Sequence, residues 1–180
     1  MAPNATIFRF SLTISDVDRG VYEAIDLRVA RHPSETTRFM LTRTLAYALS
    51  YEDGIAFSKG GISSTDEPPI AVRDPTGLLL AWIDIGSPSA ERLHKASKAA
   101  RRVALFTSAE LAGLRREVQA RPVHAAETIE VFQLAPSFLD ALEPHVDKHT
   151  KMELVRNEGV LYVTVGATTL EGAITREMLV

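Results

Sequence analysis

Apolar and polar residues alternate from Thr6 to Ile14. Ile7, Phe8, Phe10, Leu12 and Ile14 are apolar, with Arg9, Ser11 and Thr13 between them. A period of two predicts a half-buried strand. The turn residues Ser15, Asp16, Asp18 and Gly20 follow, and a weaker alternation through Ile25, Leu27 and Val29 predicts a return strand to Ala30. Together they predict a long N-terminal antiparallel hairpin. Beyond Arg31-His32-Pro33-Ser34-Glu35-Thr36 the period lengthens. Phe39, Met40, Leu45, Ala46, Ala48 and Leu49 form an apolar stripe at helical spacing. Ser34 as a cap and Glu35 as a first-turn acid predict that a helix starts here. The turn Asp53-Gly54 predicts that it ends near Tyr51.

The middle of the chain reads as strands followed by a crossover. Short strands are predicted at Ile55 to Lys59 and at Ile70 to Arg73, joined by a flexible link over residues 60–65. After the turn Asp74-Pro75-Thr76-Gly77, residues 77–83 are continuously apolar, as in a central strand covered on both faces. Asp84 interrupts this run and Gly86 ends it. Ser87-Pro88 predicts a helix with proline in its first turn, running to about Arg102, and Val103 to Thr107 is a further short strand. A strand, a helix and a strand in this order predict a right-handed parallel crossover. Ser108 to Ala120 reads as a helix, Thr128 to Leu134 as a strand and Pro136 to His145 as a short helix. Lys151 to Arg156 and Val160 to Val165 read as a C-terminal hairpin. The fold class is α/β, a mixed sheet with flanking helices, in one domain over residues 1–180.

Composition narrows the function classes. Of 180 residues, 46% are hydrophobic and 24% charged, which excludes a disordered chain. A core at this length buries roughly 70% of the unfolded surface, so no covalent staple is needed. There is no cysteine, so disulfides, zinc-thiolate sites and thiol nucleophiles are excluded together. The longest apolar run, Leu78 to Ile83, is too short to span a membrane. The N-terminus lacks the basic and apolar regions of a secretory signal, so a cytoplasmic location is the expectation. Nothing marks an oligomer interface, and a monomer is expected. The net charge of −3 excludes a polybasic coat protein but leaves room for a local basic patch.

Four groups of residues are candidates for chemistry. Asp84 closes a buried apolar strand, where a carboxylate must be hydrated, paired or metal-bound. The alternative is a turn cap one step beyond the core. Asp66 and Glu67 precede the neighbouring strand. In an antiparallel hairpin the start of one strand lies beside the end of the next, so Asp66 and Asp84 are expected at one edge. Oxygen ligands of this kind suit Mg²⁺, and solvated turn acids are the alternative. Arg92, Lys95, Lys98, Arg101 and Arg102 place five cations in eleven residues with no acid among them. Such a run is either a solvated helix face or an attractor of phosphate. Glu35 has a structural explanation as a helix-start acid, with ligation as the other reading. His145 and His149 have metal-ligand spacing, but Pro144 points to a frayed helix end instead.

These segments resemble the YaeQ family of bacterial proteins. The resemblance rests on Arg31-His32-Pro33-Ser34-Glu35-Thr36, Asp66-Glu67-Pro68, Trp82-Ile83-Asp84-Ile85-Gly86, Arg92-Leu93-His94-Lys95-Ala96 and Val103-Ala104-Leu105-Phe106-Thr107. It covers most of the chain. It implies a variant of the PD-(D/E)XK nuclease fold over about residues 35–107: a helix, a three-stranded antiparallel meander, a crossover helix and a parallel strand. It further implies Asp66, Asp84 and Glu35 as ligands of Mg²⁺ or Mn²⁺, with Glu67 beside Asp66. The motif lysine two residues after the third-strand acid is replaced by Gly86. Lys95, or Lys98, on the next helix is the implied substitute.

The function so implied is metal-dependent hydrolysis of nucleic-acid phosphodiesters. Asp66, Asp84, Glu35 and Lys95 would form the catalytic group, with Arg92, Lys98, Arg101 and Arg102 on the backbone phosphates. The alternatives are a catalytically inactive nucleic-acid binder that keeps the fold, a protein-interaction module, and an enzyme acting on another phosphate ester.

Overall fold

The computed structural model describes residues 4–60 and 64–180. Positions 61–63 of the expected flexible link lie outside the described residues. In chain order the elements are β1 (Thr6–Asp16), β2 (Val21–Arg31), α1 (Thr37–Leu49), β3 (Ile55–Phe57), β4 (Ile70–Arg73), β5 (Leu79–Ile85), α2 (Ala90–Ala99) and β6 (Arg102–Thr107). They continue as α3 (Ala112–Ala120), β7 (Glu130–Leu134), α4 (Pro136–Leu142), β8 (His149–Asn157), β9 (Val160–Val165) and β10 (Thr168–Met178). The chain divides into two compact units, residues 1–49 with 134–174, and residues 50–133 with 175–180. No helix among the described residues is long and apolar enough to cross a membrane.

In the first unit β1 and β2 form the expected hairpin, paired in register from Thr6↔Arg31 to Asp16↔Val21. β1 also runs parallel to β8, and β8, β9 and β10 are successive antiparallel neighbours. Alternation sends Phe10, Leu12, Ile14, Val29, Leu154 and Val163 inward, where each is buried. α1 packs on β1, β2 and α4. Its start departs from expectation. Thr36, not Ser34, is the cap: its Oγ1 accepts from the Phe39 amide at 3.1 Å. The Ser34 hydroxyl is instead 2.6 Å from Nδ1 of His32. Glu35 therefore precedes the helix and is not a first-turn acid.

The second unit holds the strands and crossover that matter for the candidate chemistry. β3, β4 and β5 form an antiparallel meander, and β5, β6 and β7 run parallel. α2 makes the connection between β5 and β6 and packs on both. Leu93 and Ala96 of α2 bury beside Trp82, Leu105, Ile129 and Val131. The run of apolar residues does form a strand, but Asp84 lies within it, because β5 continues through Ile85. α2 is shorter than expected. Ser89 caps it by accepting from the Arg92 amide at 3.1 Å, so Pro88 falls outside its first turn. It ends at Ala99, which leaves Arg101 beyond the helix and Arg102 at the start of β6.

The C-terminal hairpin of β8 and β9 forms as expected, but a third strand, β10, follows it. Its inward positions alternate through Gly172 and Ile174, both buried. A glycine carries no hydrophobic signal, so the period of two is invisible there. Glycine is required because a Cβ at position 172 would come within 2.5 Å of the Phe138 ring. His145 lies in a short 3-10 turn and His149 opens β8, so the two do not share a helix face.

Candidate functional site

Asp84 sits on β5 with its side chain 3% exposed. It accepts hydrogen bonds from its own strand and from α2. Oδ1 accepts from the Ile85 amide at 3.2 Å, and Oδ2 accepts from Nε1 of Trp82 at 3.2 Å. Oδ2 also accepts from Nε of Arg92 at 2.7 Å, an ion pair to a side chain 20% exposed. Residues two apart on a strand share a face, which brings the Trp82 ring to Asp84. The Ser89 cap sets the first turn of α2, and Arg92 reaches from that turn back to the strand. Its guanidinium carbon stands 5.4 Å from the Trp82 ring centroid, within cation–π range.

The rest of the Arg92 fork organises the segment before β4. Nη1 donates to the carbonyls of Thr65 at 3.2 Å and Ser64 at 3.5 Å, and Nη2 to that of Glu67 at 3.1 Å. The backbone on either side of Asp66 is thus tied to Asp84 through one guanidinium. The Asp66 carboxylate itself is exposed and pairs with the Lys95 ammonium. That hydrogen bond holds the Asp66 carboxyl below the usual carboxylate range. Glu67 accepts from the Ser58 hydroxyl at 2.7 Å. Lys98 and Arg101 are exposed and carry no ion pair among the described residues, whereas Arg102 pairs with Glu52.

Glu35 belongs to the first unit, where it is buried. Its Oε1 and Oε2 accept from Nε and Nη2 of Arg43, each at 3.1 Å, and Oε2 accepts from the His32 amide at 3.1 Å. Arg43 also donates to the Ala30 carbonyl at 2.9 Å. Each of the three expected metal ligands is therefore matched to its own cation: Asp84 to Arg92, Asp66 to Lys95, Glu35 to Arg43. Among the described residues no three His, Asp or Glu side chains come together as a metal-binding group. As paired in the second unit, Asp66 and Asp84 do not fit a shared divalent ion.

Sequence reasoning placed Arg92 on phosphate and missed its inward role, and it missed Trp82 as a partner of Asp84. The spacing of Trp82 and Asp84, two apart on a strand, was the available signal. It also missed a basic row on the outward face of the first unit. There Arg9 stands opposite Arg28 on β2 and opposite His149 on β8. The outward alternation of the hairpin marks Arg9 and Arg28, but the parallel neighbour from β8 is not visible locally.

Taken together, the pairings define a mixed α/β protein with an antiparallel meander, a crossover helix and parallel strands in its second unit. A family model described as YaeQ protein matches residues 1–174, and the chain belongs to that family. It is 31% identical over 178 residues to "Uncharacterized protein YaeQ" of Escherichia coli (strain K12), covering 97% of each chain. The protein of the same name from Salmonella typhi is 29% identical over 177 residues, again with 97% of each covered. The crystal structure of YaeQ protein from Pseudomonas syringae superposes with a TM-score of 0.86 at 30% identity, covering 96% of this chain and 95% of that one. That of YaeQ protein from Xanthomonas axonopodis pv. citri gives 0.85 at 28% identity, with 97% and 98% covered.

Proposed function

We propose that this chain is a nucleic-acid-binding protein that keeps a PD-(D/E)XK-like core without metal-dependent hydrolysis. The observation that carries this reading is the closure of the Asp84 carboxylate by Arg92, Trp82 and the Ile85 amide. The acid that would hold the metal is an internal anchor. The chain order of α1, the meander β3–β4–β5, α2 and the parallel β6 supports the core assignment. Gly86 supports the absence of the usual chemistry. It stands where the motif lysine belongs and adopts φ 82°, a conformation that a lysine enters only at a cost. Lys98 and Arg101 supply unpaired positive charge for backbone phosphates, which bind without base specificity.

A second reading has its own support. Lys95 reaches Asp66, so an acid and a lysine of the expected types do meet. On that reading Glu35, Asp66 and Asp84 take Mg²⁺ or Mn²⁺ after rearrangement and Lys95 serves as the migrated lysine. Fluorescence anisotropy with labelled single- and double-stranded DNA and RNA separates the two, run beside cleavage assays in Mg²⁺, Mn²⁺ or EDTA. Two phosphate contacts give an affinity that falls about tenfold between about 50 and 200 mM salt. Binding with that salt dependence, weakened in Lys98→Ala/Arg101→Ala and without cleavage, supports the binder. Metal-dependent cleavage that Asp84→Asn abolishes establishes the nuclease instead, and absence of binding to every probe removes both.

A further inference from the structure

Four oxygens converge on the Arg92 guanidinium. They are Asp84 Oδ2 at 2.7 Å and the backbone carbonyls of Glu67 at 3.1 Å, Thr65 at 3.2 Å and Ser64 at 3.5 Å. A carboxylate with several carbonyls is a set of hard donors carrying one negative charge, the kind that oxygen-seeking divalent cations take. Here the charge is met by a guanidinium that is covalently fixed to α2. Its fork also does what a bridging ion does, joining a loop to a strand through shared oxygens. The buried Trp82 ring packs against that guanidinium, 5.4 Å from its carbon to the ring centroid.

We propose that Arg92 stands in for a divalent cation at Asp84, and that removing its side chain uncovers a site for such a cation. The substitution makes the corner formed by residues 64–67, β5 and α2 independent of metal. It extends the reading of Asp84 as an internal anchor and does not depend on nucleic-acid binding. The charge is needed where it is, because a buried carboxylate left alone is poorly tolerated. Asp66 is not part of the cage, since its carboxylate turns outward to Lys95.

The test compares wild type, Arg92→Ala, Arg92→Ala/Asp84→Asn and Asp84→Asn by thermal unfolding and by isothermal titration with Mn²⁺, without nucleic acid. Wild type is expected to show no Asp84-dependent Mn²⁺ binding and no Mn²⁺-dependent change in Tm. Arg92→Ala is expected to lose about 5–10 °C in Tm and to recover at least half of it in Mn²⁺. The double variant is expected to lose less than Arg92→Ala and to ignore Mn²⁺, since the unpaired charge is gone. Should Arg92→Ala fail to fold, Arg92→Gln replaces it in every arm. An arginine variant that binds no Mn²⁺ overturns the proposal, and so does wild-type Mn²⁺ binding that Asp84→Asn abolishes. A protein that meets these expectations and yet binds no DNA or RNA leaves the cation inference standing while the proposed function falls.

Discussion

At the scale of single residues, the carboxylates of this chain divide by what surrounds them. Asp84 is held by a tryptophan, an amide and an arginine, and Gly86 two positions on is held by its backbone. Because Gly86 sits at φ 82°, Gly86→Lys restores the motif residue but strains the turn. It is expected to cost about 1–2 kcal/mol in chemical denaturation and to yield no nuclease activity. Cleavage by that variant would show that only the lysine was missing. In the first unit, Asp18 accepts from the amides of Glu158 at 2.7 Å and Gly159 at 3.0 Å. The Gly159 amide, then that of Glu158, holds its carboxyl below the ordinary value of 3.8. A lowered folded value means that its contribution is present above the ordinary value and is lost as the pH falls through the folded one. Asp16 has the opposite sign. Burial raises its carboxyl above 3.8 against the pull of Arg156 and Arg19, so its charge costs stability above the folded value and acid relieves the cost. Asp18→Asn is therefore expected to lower Tm at neutral pH, and the gap to wild type is expected to close on acidification below about pH 4. A gap that persists in acid would show that the loss is not electrostatic.

At the scale of elements, what could be read from the sequence was what local periodicity carries. The β1–β2 hairpin announces itself because Phe8, Phe10, Leu12 and Ile14 alternate with polar residues and the turn lies between. β5 was legible from its unbroken apolar run, since both faces are covered. β10 was not, because its inward positions include Gly172, whose role is to admit the Phe138 ring rather than to add apolar surface. Gly172→Ala is expected to destabilise by about 1–3 kcal/mol, measured by urea unfolding, because a Cβ would sit 2.5 Å from that ring. A neutral result would show that Phe138 moves aside freely. The starts of α1 and α2 shift past Ser34 and Pro88 for a physical reason: the Thr36 and Ser89 hydroxyl oxygens accept from first-turn amides, and those two residues set the caps. That shift matters at Glu35, which leaves the helix dipole and joins Arg43 instead. The residue types of the candidate site were legible, but their pairing was not. Arg92 meets Asp84 from the next element and meets residues 64–67 from far along the chain. Nothing in the local pattern distinguishes an inward-turned arginine from its outward neighbours Lys95 and Lys98.

At the scale of the whole molecule, membership of the YaeQ family and its shared fold say what kind of chain this is without saying what it does, because a fold outlasts its chemistry. The net charge of −3 makes general attraction to nucleic acid unfavourable, so binding has to come from local cations. Five cations stand between Arg92 and Arg102, yet Arg92 is committed to Asp84, Lys95 to Asp66 and Arg102 to Glu52. Lys98 and Arg101 are what remains, and a footprint of that size binds phosphate weakly and with a shallow salt dependence. The most direct measurement follows one labelled DNA and one labelled RNA with the purified protein in Mn²⁺ and in EDTA, reading bound fraction and product in the same samples. The binding reading predicts equal, salt-sensitive binding in both conditions and no product. Product that forms only with Mn²⁺, and disappears in Asp84→Asn, would contradict it and restore Asp84 as a metal ligand.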